Sequence, residues 1–346
     1  MFEINKREGL ARLGKIKTSH GVLETPTLLP VVNPKIMTLS MQELAECGAQ
    51  GIITNSYIIH KNSELKEKAI AEGIHAMLGW DGPIKTDSGT FQSHVYGEID
   101  MEPDVILDFQ KKMGVDIGTV LDVFTEPGTR FRDASKELEE TQKRIEEADQ
   151  NKGDMLLAAP IQGGRHLDLR HKAATAASET NAELFPIGGV VPFMEQNKFQ
   201  QLAEIVFACK KELDVSRPVH LFGCGHPMLF ALAVFMGCDV FDSASYAKFA
   251  SRDSLMFTWG TRKLDDLEVL PSEFSAAPDV TIEQLKAMES SKRQQIIAKH
   301  NLIVSFTEIR RIKQAIHEGT LWELVENRLR SSPCLLYTSP RPRDRG

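Results

Sequence analysis

The sequence predicts a (β/α)8 barrel, an α/β TIM barrel with a C-terminal helical appendage. Three observations predict it: eight short apolar runs, helical patterns in most of the gaps between them, and polar groups gathered at one end of the runs. In order the runs are TPTLLPV from Thr25, GIITNSY from Gly51, PIKTDSG from Pro83 and GTVLDVF from Gly118. MLLAAPIQG from Met155, LFPIGGV from Leu184, VHLFGCG from Val219 and DVFDSAS from Asp239 complete them. Their near-continuous hydrophobicity suits parallel strands covered on both faces. The gaps carry helical periodicity, clearest in ASKELEETQKRIEEADQ and KFQQLAEIVFACKKEL. A doubly wound open sheet is the runner-up, but no GxGxxG turn follows the first run.

In a barrel the active site lies at the C-terminal strand ends. Here those ends read Asn55, Asp87 with Ser88, Asp122, Gln162, Gly188 with Gly189, and Asp242. Carboxylates and amides are poor core material, and chance would scatter them over both ends. After Asp253 a polar stretch leads through PSEFSAAPD to two expected helices, from about Thr281 and about Thr307. The barrel is therefore expected over about residues 10–265 and the appendage over about 266–333, together one catalytic domain spanning 1–333. The tail 334–346, CLLYTSPRPRDRG, has no periodicity and resembles a translated sequencing adapter; it is expected to be an artefact, with the natural protein continuing past about Pro333.

Composition narrows the class further. No run reaches the roughly 18 apolar residues of a membrane span, and the N-terminus lacks an apolar signal segment, so a cytoplasmic location is expected. The five cysteines form no CxxC pair and read as reduced thiols. A net charge of −7 argues against indiscriminate nucleic-acid binding. Local basic runs at Lys292 and Arg293, and at Arg310, Arg311 and Lys313, could still meet RNA, or could simply be solvated helix faces.

The segment IKTDSGTFQ gathers the groups that hold a planar heterocycle. Asp87 and Gln92 can meet its donors, Phe91 can stack on it, and Gly89 permits close backbone approach. An aspartate at Asp87 can equally cap a helix, and Phe91 can be a core aromatic. Asp242, two apolar residues into the eighth run, emerges where a carboxylate nucleophile would sit, with helix capping again the alternative. Two carboxyls about 5 Å apart are the arrangement with which retaining glycosidases attack an anomeric carbon and protonate its leaving group. Asp122 and Gln162 add an anion and an amide able to read a purine's N–H and carbonyl edge, and Gly188 with Gly189 leaves room for a backbone N–H to meet a ring oxygen.

With these segments in hand, TDSGTFQ, LDVFTEP, PIQGG, FPIGGVV, GCGHP and FDSASYAKFASRD, in that order, resemble the motif set of the tRNA-guanine transglycosylases over about Phe2 to Arg330. TPTLLPVVNP, ITNSYI and SHVYGEID are closest to the archaeal branch, which inserts 7-cyano-7-deazaguanine at a D-loop guanine on the route to archaeosine. The resemblance implies Asp242 as the nucleophile toward ribose C1′ and Asp87 as the general acid/base. Ser88, Phe91, Asp122, Gln162, Gly188, Gly189 and Val190 would line the base pocket. It implies tRNA and 7-cyano-7-deazaguanine or guanine as partners, a homodimer, no membrane and no redox or nucleotide cofactor. It also implies C-terminal RNA-binding domains that this sequence does not reach, hence low tRNA affinity. Two other readings stay open: a non-catalytic tRNA-binding subunit or archaeosine-pathway paralogue, and a small-molecule barrel enzyme. The last would need a metal site or a Schiff-base lysine at a strand end; the nearest lysines are Lys85 and Lys248.

The family resembled carries a structural zinc on three cysteines, CxCxxC after Leu-Pro, and on a later histidine. Here Leu270-Pro271 is followed by Ser272, Phe274 and Ala277 at the cysteine positions, and only His300, in KHNL, remains. Structural zinc sites are tetrahedral, and one imidazole cannot supply four ligands. Metal analysis of the purified protein is expected to find no stoichiometric zinc; one zinc per chain would overturn that expectation.

Overall fold

The computed structural model describes residues 2–90, 101–332 and Leu335. The chain opens with a three-stranded antiparallel sheet, β1 (Phe2–Glu8), β2 (Ala11–Thr18) and β3 (Gly21–Thr25), which precedes the eight apolar runs and is not expected from them. Eight parallel strands follow: β4 (Thr27–Val32), β5 (Ile52–Asn55), β6 (Ile84–Asp87), β7 (Ile117–Thr119), β8 (Leu156–Ala158), β9 (Phe185–Ile187), β10 (Val219–Leu221) and β11 (Val240–Ser243). Each falls on one of the eight apolar runs. Their spatial order is β8-β7-β6-β5-β4-β11-β10-β9, and parallel bridges Ala158–Leu184 and Ile161–Ile187 join β8 to β9. The sheet thus closes into a barrel, which excludes the open doubly wound alternative.

Side chains alternate along each strand, so period two divides the barrel into an inside and an outside. Leu29, Ile53, Ile117, Ala158, Leu184 and Val240 fill the interior, joined by Ile16 and Leu23 from β2 and β3. The N-terminal sheet therefore closes one end of the barrel with its own apolar side chains. Outward residues such as Leu28, Ile52, Ile84, Leu157, Phe185 and Phe241 belong to a separate, larger core with the surrounding helices. The helix Phe131–Asn151 shows how those helices dock: Ala134, Leu138, Thr141, Ile145 and Ala148 are its buried residues, spaced three or four apart, and its other faces are charged.

Beyond the barrel, the polar stretch after Asp253 forms a hairpin, β12 (Ser254–Phe257) and β13 (Gly260–Lys263). The two expected helices resolve differently: Ile282–Ala287 is one, but Thr307 lies within a single helix, Ser290–Glu318. No glycine or proline interrupts those 29 residues. Asn301 anchors the helix, accepting from the Met256 N–H at 2.7 Å and donating to the Tyr246 and Ser254 carbonyls. Among the described residues no helix is long and apolar enough to cross a membrane.

Two buried nodes fasten the N-terminal sheet. Arg12, on β2, pairs with Asp239 just before β11, its Nε donating to Oδ1 at 2.9 Å and its Nη2 to Oδ2. It also donates to the carbonyls of Val215 and Arg217, while Asp239 accepts the Val219 N–H. Asp116, before β7, accepts from the His20 and Ile84 N–H groups and from both the His20 and His75 rings. Burial opposes the charge of Asp116, but those hydrogen bonds outweigh it and hold the carboxyl well below its ordinary range. With Arg12 and Asp239 only 4% and 1% exposed, removing one partner strands a charge in the core. Arg12→Ala is expected to lose about 3–5 kcal/mol of unfolding free energy, measured by denaturant titration; a loss within experimental error would mean the pair is not a clasp.

Candidate active site at the barrel mouth

The same alternation that fills the barrel delivers the polar residues. On β6, Ile84 and Thr86 point outward: Ile84 joins the outer core and Thr86 hydrogen-bonds Gln110 of the helix Pro103–Met113. Lys85 and Asp87 therefore point inward. On β11, Val240 and Asp242 face in, as do His220 on β10 and Phe222 just past it. Asn55 ends β5 in direct register with Asp87.

Asp87 accepts hydrogen bonds from Asn55 Nδ2 at 3.3 Å and from the Gly89 N–H at 3.2 Å. Gly89 has φ of 102° and lies so close to Tyr57 that an added Cβ would sit 2.4 Å from the Tyr57 Cβ. The close approach expected of this glycine is therefore to Tyr57. Burial raises the Asp87 carboxyl to about 6, despite the opposing pull of Lys85 and the Gly89 N–H; Asp122 and Asp242 push it in the same direction as burial. Ser88, 1% exposed, meets the Thr90 hydroxyl at 3.2 Å, and that hydroxyl donates to the Asp122 carbonyl. Phe91 and Gln92 lie outside the described residues.

Asp242 is held by one oxygen. Its Oδ1 accepts from His220 Nε2 at 2.8 Å and from the Gly223 N–H at 2.9 Å. Burial lowers His220 below the ordinary histidine value, which favours a neutral ring donating from Nε2. His220 carried no expectation from the sequence. The signal was present in VHLFG, where a polar residue sits mid-strand on the face that carries Phe222.

Asp122 follows β7 and is raised by burial against hydrogen bonds from Thr90 and Gln162. Gln162 Nε2 donates to its Oδ2 at 2.5 Å, while Gln162 Oε1 is buried with no partner among the described residues. Gly188 and Gly189 back this amide: a Cβ on Gly188 would lie 2.6 Å from Nε2, and one on Gly189, with φ of 66°, would lie 2.9 Å from Oε1. Of the two backbone N–H groups of this pair, that of Gly188 is bonded to the Ile161 carbonyl. Val190 is fully buried beside them. Arg170, fully buried, stitches these turns together, donating to the carbonyls of Gly164, Ile161 and Gly188.

Two places elsewhere bear on metals. His300 Nε2 donates to the Met256 carbonyl at 3.1 Å, and its ring lies 5.1 Å from both Phe257 and Phe274. Burial lowers it to about 4. Phe274 thus stands beside the imidazole where the resembled family has a thiolate, and these residues do not fit zinc. The group that does gather three possible ligands among the described residues is His20, His75 and Asp116, at the opposite end from the carboxylates. There the imidazoles stack 3.6 Å apart and address different oxygens of one carboxylate that already accepts two backbone N–H groups. Of the basic candidates for RNA contact, Arg293 makes a two-point pair with Asp253, and Lys313 donates to the Glu24 carbonyl.

The family model for queuine tRNA-ribosyltransferase matches residues 7–333. The chain is 48% identical over 336 residues to a tRNA-guanine(15) transglycosylase of Methanothermobacter thermautotrophicus, covering 97% of this chain and 51% of that protein. It is 47% identical over 340 residues to one from Thermoplasma acidophilum, covering 98% of this chain and 54% of the relative. With one from Methanosarcina acetivorans the identity is 45% over 337 residues, 97% of this chain and 68% of the relative. The chain spans about half the length of the first two relatives. Barrel, motifs and near-complete coverage agree: the chain belongs to the queuine tRNA-ribosyltransferase family.

Proposed function

We propose that this protein exchanges a base in tRNA, replacing a D-loop guanine with 7-cyano-7-deazaguanine through a covalent ribosyl–Asp242 intermediate, in archaeosine biosynthesis. The observation that carries the reading is the meeting of three carboxylates, Asp87, Asp122 and Asp242, with the Gln162 amide at one barrel mouth. The shared name of the archaeal relatives supports a tRNA guanine as the target.

In this mechanism Asp242 attacks ribose C1′ as the C1′–N9 bond breaks, its electron pair passing to N9. Asp87 donates a proton to N9, and neutral guanine leaves. The incoming base returns its N9 proton to Asp87, N9 attacks C1′, and Asp242 is released. One glycosidic bond replaces another, which is the two-carboxylate logic of retaining glycosidases with a nitrogen base in place of water. His220 and the Gly223 N–H fix one oxygen of Asp242 and leave the other for C1′. Asp122 accepts the N–H edge of the base, and the unpartnered Gln162 Oε1 provides a further buried acceptor. Ser88, Phe91, Gly188, Gly189 and Val190 complete the pocket, and the working form is a homodimer on tRNA. The aromatic contacts of His300, in place of a zinc site, favour one other reading, a subunit that binds tRNA without exchange.

Labelled-guanine exchange, run with guanine, the cyano base and the aminomethyl base on D-loop and anticodon variants of tRNA, tests the proposal. Incorporation of the cyano base confined to the D-loop is expected; tRNA binding with no exchange of any base would install the non-catalytic reading. Asp242→Ala should lose exchange by on the order of 10⁴-fold or more and trap no covalent complex, and full activity in it would remove Asp242 as nucleophile. Because Asp87 acts first as an acid with its carboxyl raised to about 6, kcat/KM for tRNA should fall as pH rises above that value. Asp87→Asn should be about 10²–10⁴-fold slower and lack that alkaline limb; a limb that persists in Asp87→Asn belongs to another group.

A further inference from the structure

Lys85 is the residue of the mouth that this mechanism leaves unused. It points into the barrel from β6, is 1% exposed, and ranks among the largest fully buried side chains. Its backbone pairs with Ile117, yet its ammonium donates to the Thr119 hydroxyl at 2.6 Å, two residues nearer the mouth along β7. The side chain therefore climbs toward the carboxylates. Across the barrel, the ring of Phe222, just past β10, lies 4.7 Å from the same ammonium. In the sheet order β10 stands four strands from β6, so the two walls of an eight-stranded barrel enclose this cation. Thr119 is fixed in turn, its hydroxyl donating to the Thr86 carbonyl and its N–H to Gln110.

A buried ammonium is costly unless opposite charge repays its lost hydration. Here the repayment comes from above, because Asp87, Asp242 and Asp122 each favour its charged form. We propose that Lys85 is a positioning residue for the exchange: a buried countercharge that lets three carboxylates share one mouth and keeps the proton of Asp87 exchangeable. The assignment rests on the exchange reading for its catalytic meaning, but not for its electrostatic one. Burial lowers Lys85 to about 8 against the pull of the three carboxylates, and Lys85 is the largest influence opposing the burial of Asp87. Among the described residues, the charged groups acting on Asp87 are Lys85 on its own strand, Asp122 after β7 and Asp242 on β11; His220 on β10 contacts Asp242, and Asn55 on β5 is a neutral contact.

The test follows the carboxyl carbon of Asp87 by NMR in ¹³C-aspartate-labelled full chain, assigned by its loss in Asp87→Asn, from pH 4 to 9 without tRNA. In Lys85→Met the midpoint should rise by about one unit or more, and the alkaline limb of exchange should move up with it. Lys85→Gln, which keeps a polar group of similar length without the charge, should show the same rise. Should neither variant fold, Thr119→Val, which retains the ammonium but removes its acceptor, should still displace the midpoint. An unmoved midpoint in whichever of these folds makes Lys85 a packing residue and overturns the proposal. A midpoint that moves in the variants, while the unmutated protein never exchanges base, would leave Lys85 as the countercharge and defeat the exchange reading instead.

Discussion

The closed parallel barrel imposes one constraint on which the rest of the molecule depends: each strand has a single inward face, and all eight faces open at the same end. Polar side chains on that face meet one another whatever their separation in sequence. Asp87 and Asp242 lie 155 positions apart along the chain and feel each other's charge because both occupy the last inward position of their strands. The same rule sets the opposite end, where Ile16 and Leu23 of the N-terminal sheet occupy the apolar interior that the strands leave open. One end is sealed with hydrocarbon and the other is lined with charge.

That polarity separates holding from doing. Below the strands, Asp116 is saturated by four donors and Asp239 takes three, and both are locked to the N-terminal sheet. The carboxylates at the mouth are held more sparingly, Asp242 through one oxygen and Asp87 by an amide and one N–H. A carboxylate with every lone pair engaged is a structural pin, and one with capacity left over can meet a substrate. Burial without full hydrogen bonding also moves a carboxyl upward, as at Asp87 and Asp122, whereas the crowded Asp116 moves down.

Much of this was legible in the sequence, because period-two alternation and strand-end polarity are local signals. The eight runs located the eight barrel strands, and Asp87, Asp122, Gln162 and Asp242 all stand at one rim. The residues that escaped were those whose meaning depends on tertiary context. The strands FEINKRE and ARLGKIKT are half polar and make sense only against an open barrel end. Lys85 and His220 sit inside strands, where a charged or basic residue argues against a core position until its partners across the barrel are known. Thr307 looked like the start of a helix and is an interior residue of one, since a threonine's capping preference yields to an uninterrupted helical stretch on either side.

The barrel closes where β8 meets β9, through the bridges Ala158–Leu184 and Ile161–Ile187, and the guanidinium of Arg170 ties the turns that follow. Gln162, Gly188, Gly189 and Val190 all stand on this seam, while Asp87 and Asp242 stand on β6 and β11, away from it. The part of the mouth proposed to read the ring is thus carried by turns distinct from the strands that bear the two carboxylates proposed to react. A lineage of such barrels could change the ring it accepts by remodelling two turns, with no shift in the register of the strands that bear Asp87 and Asp242.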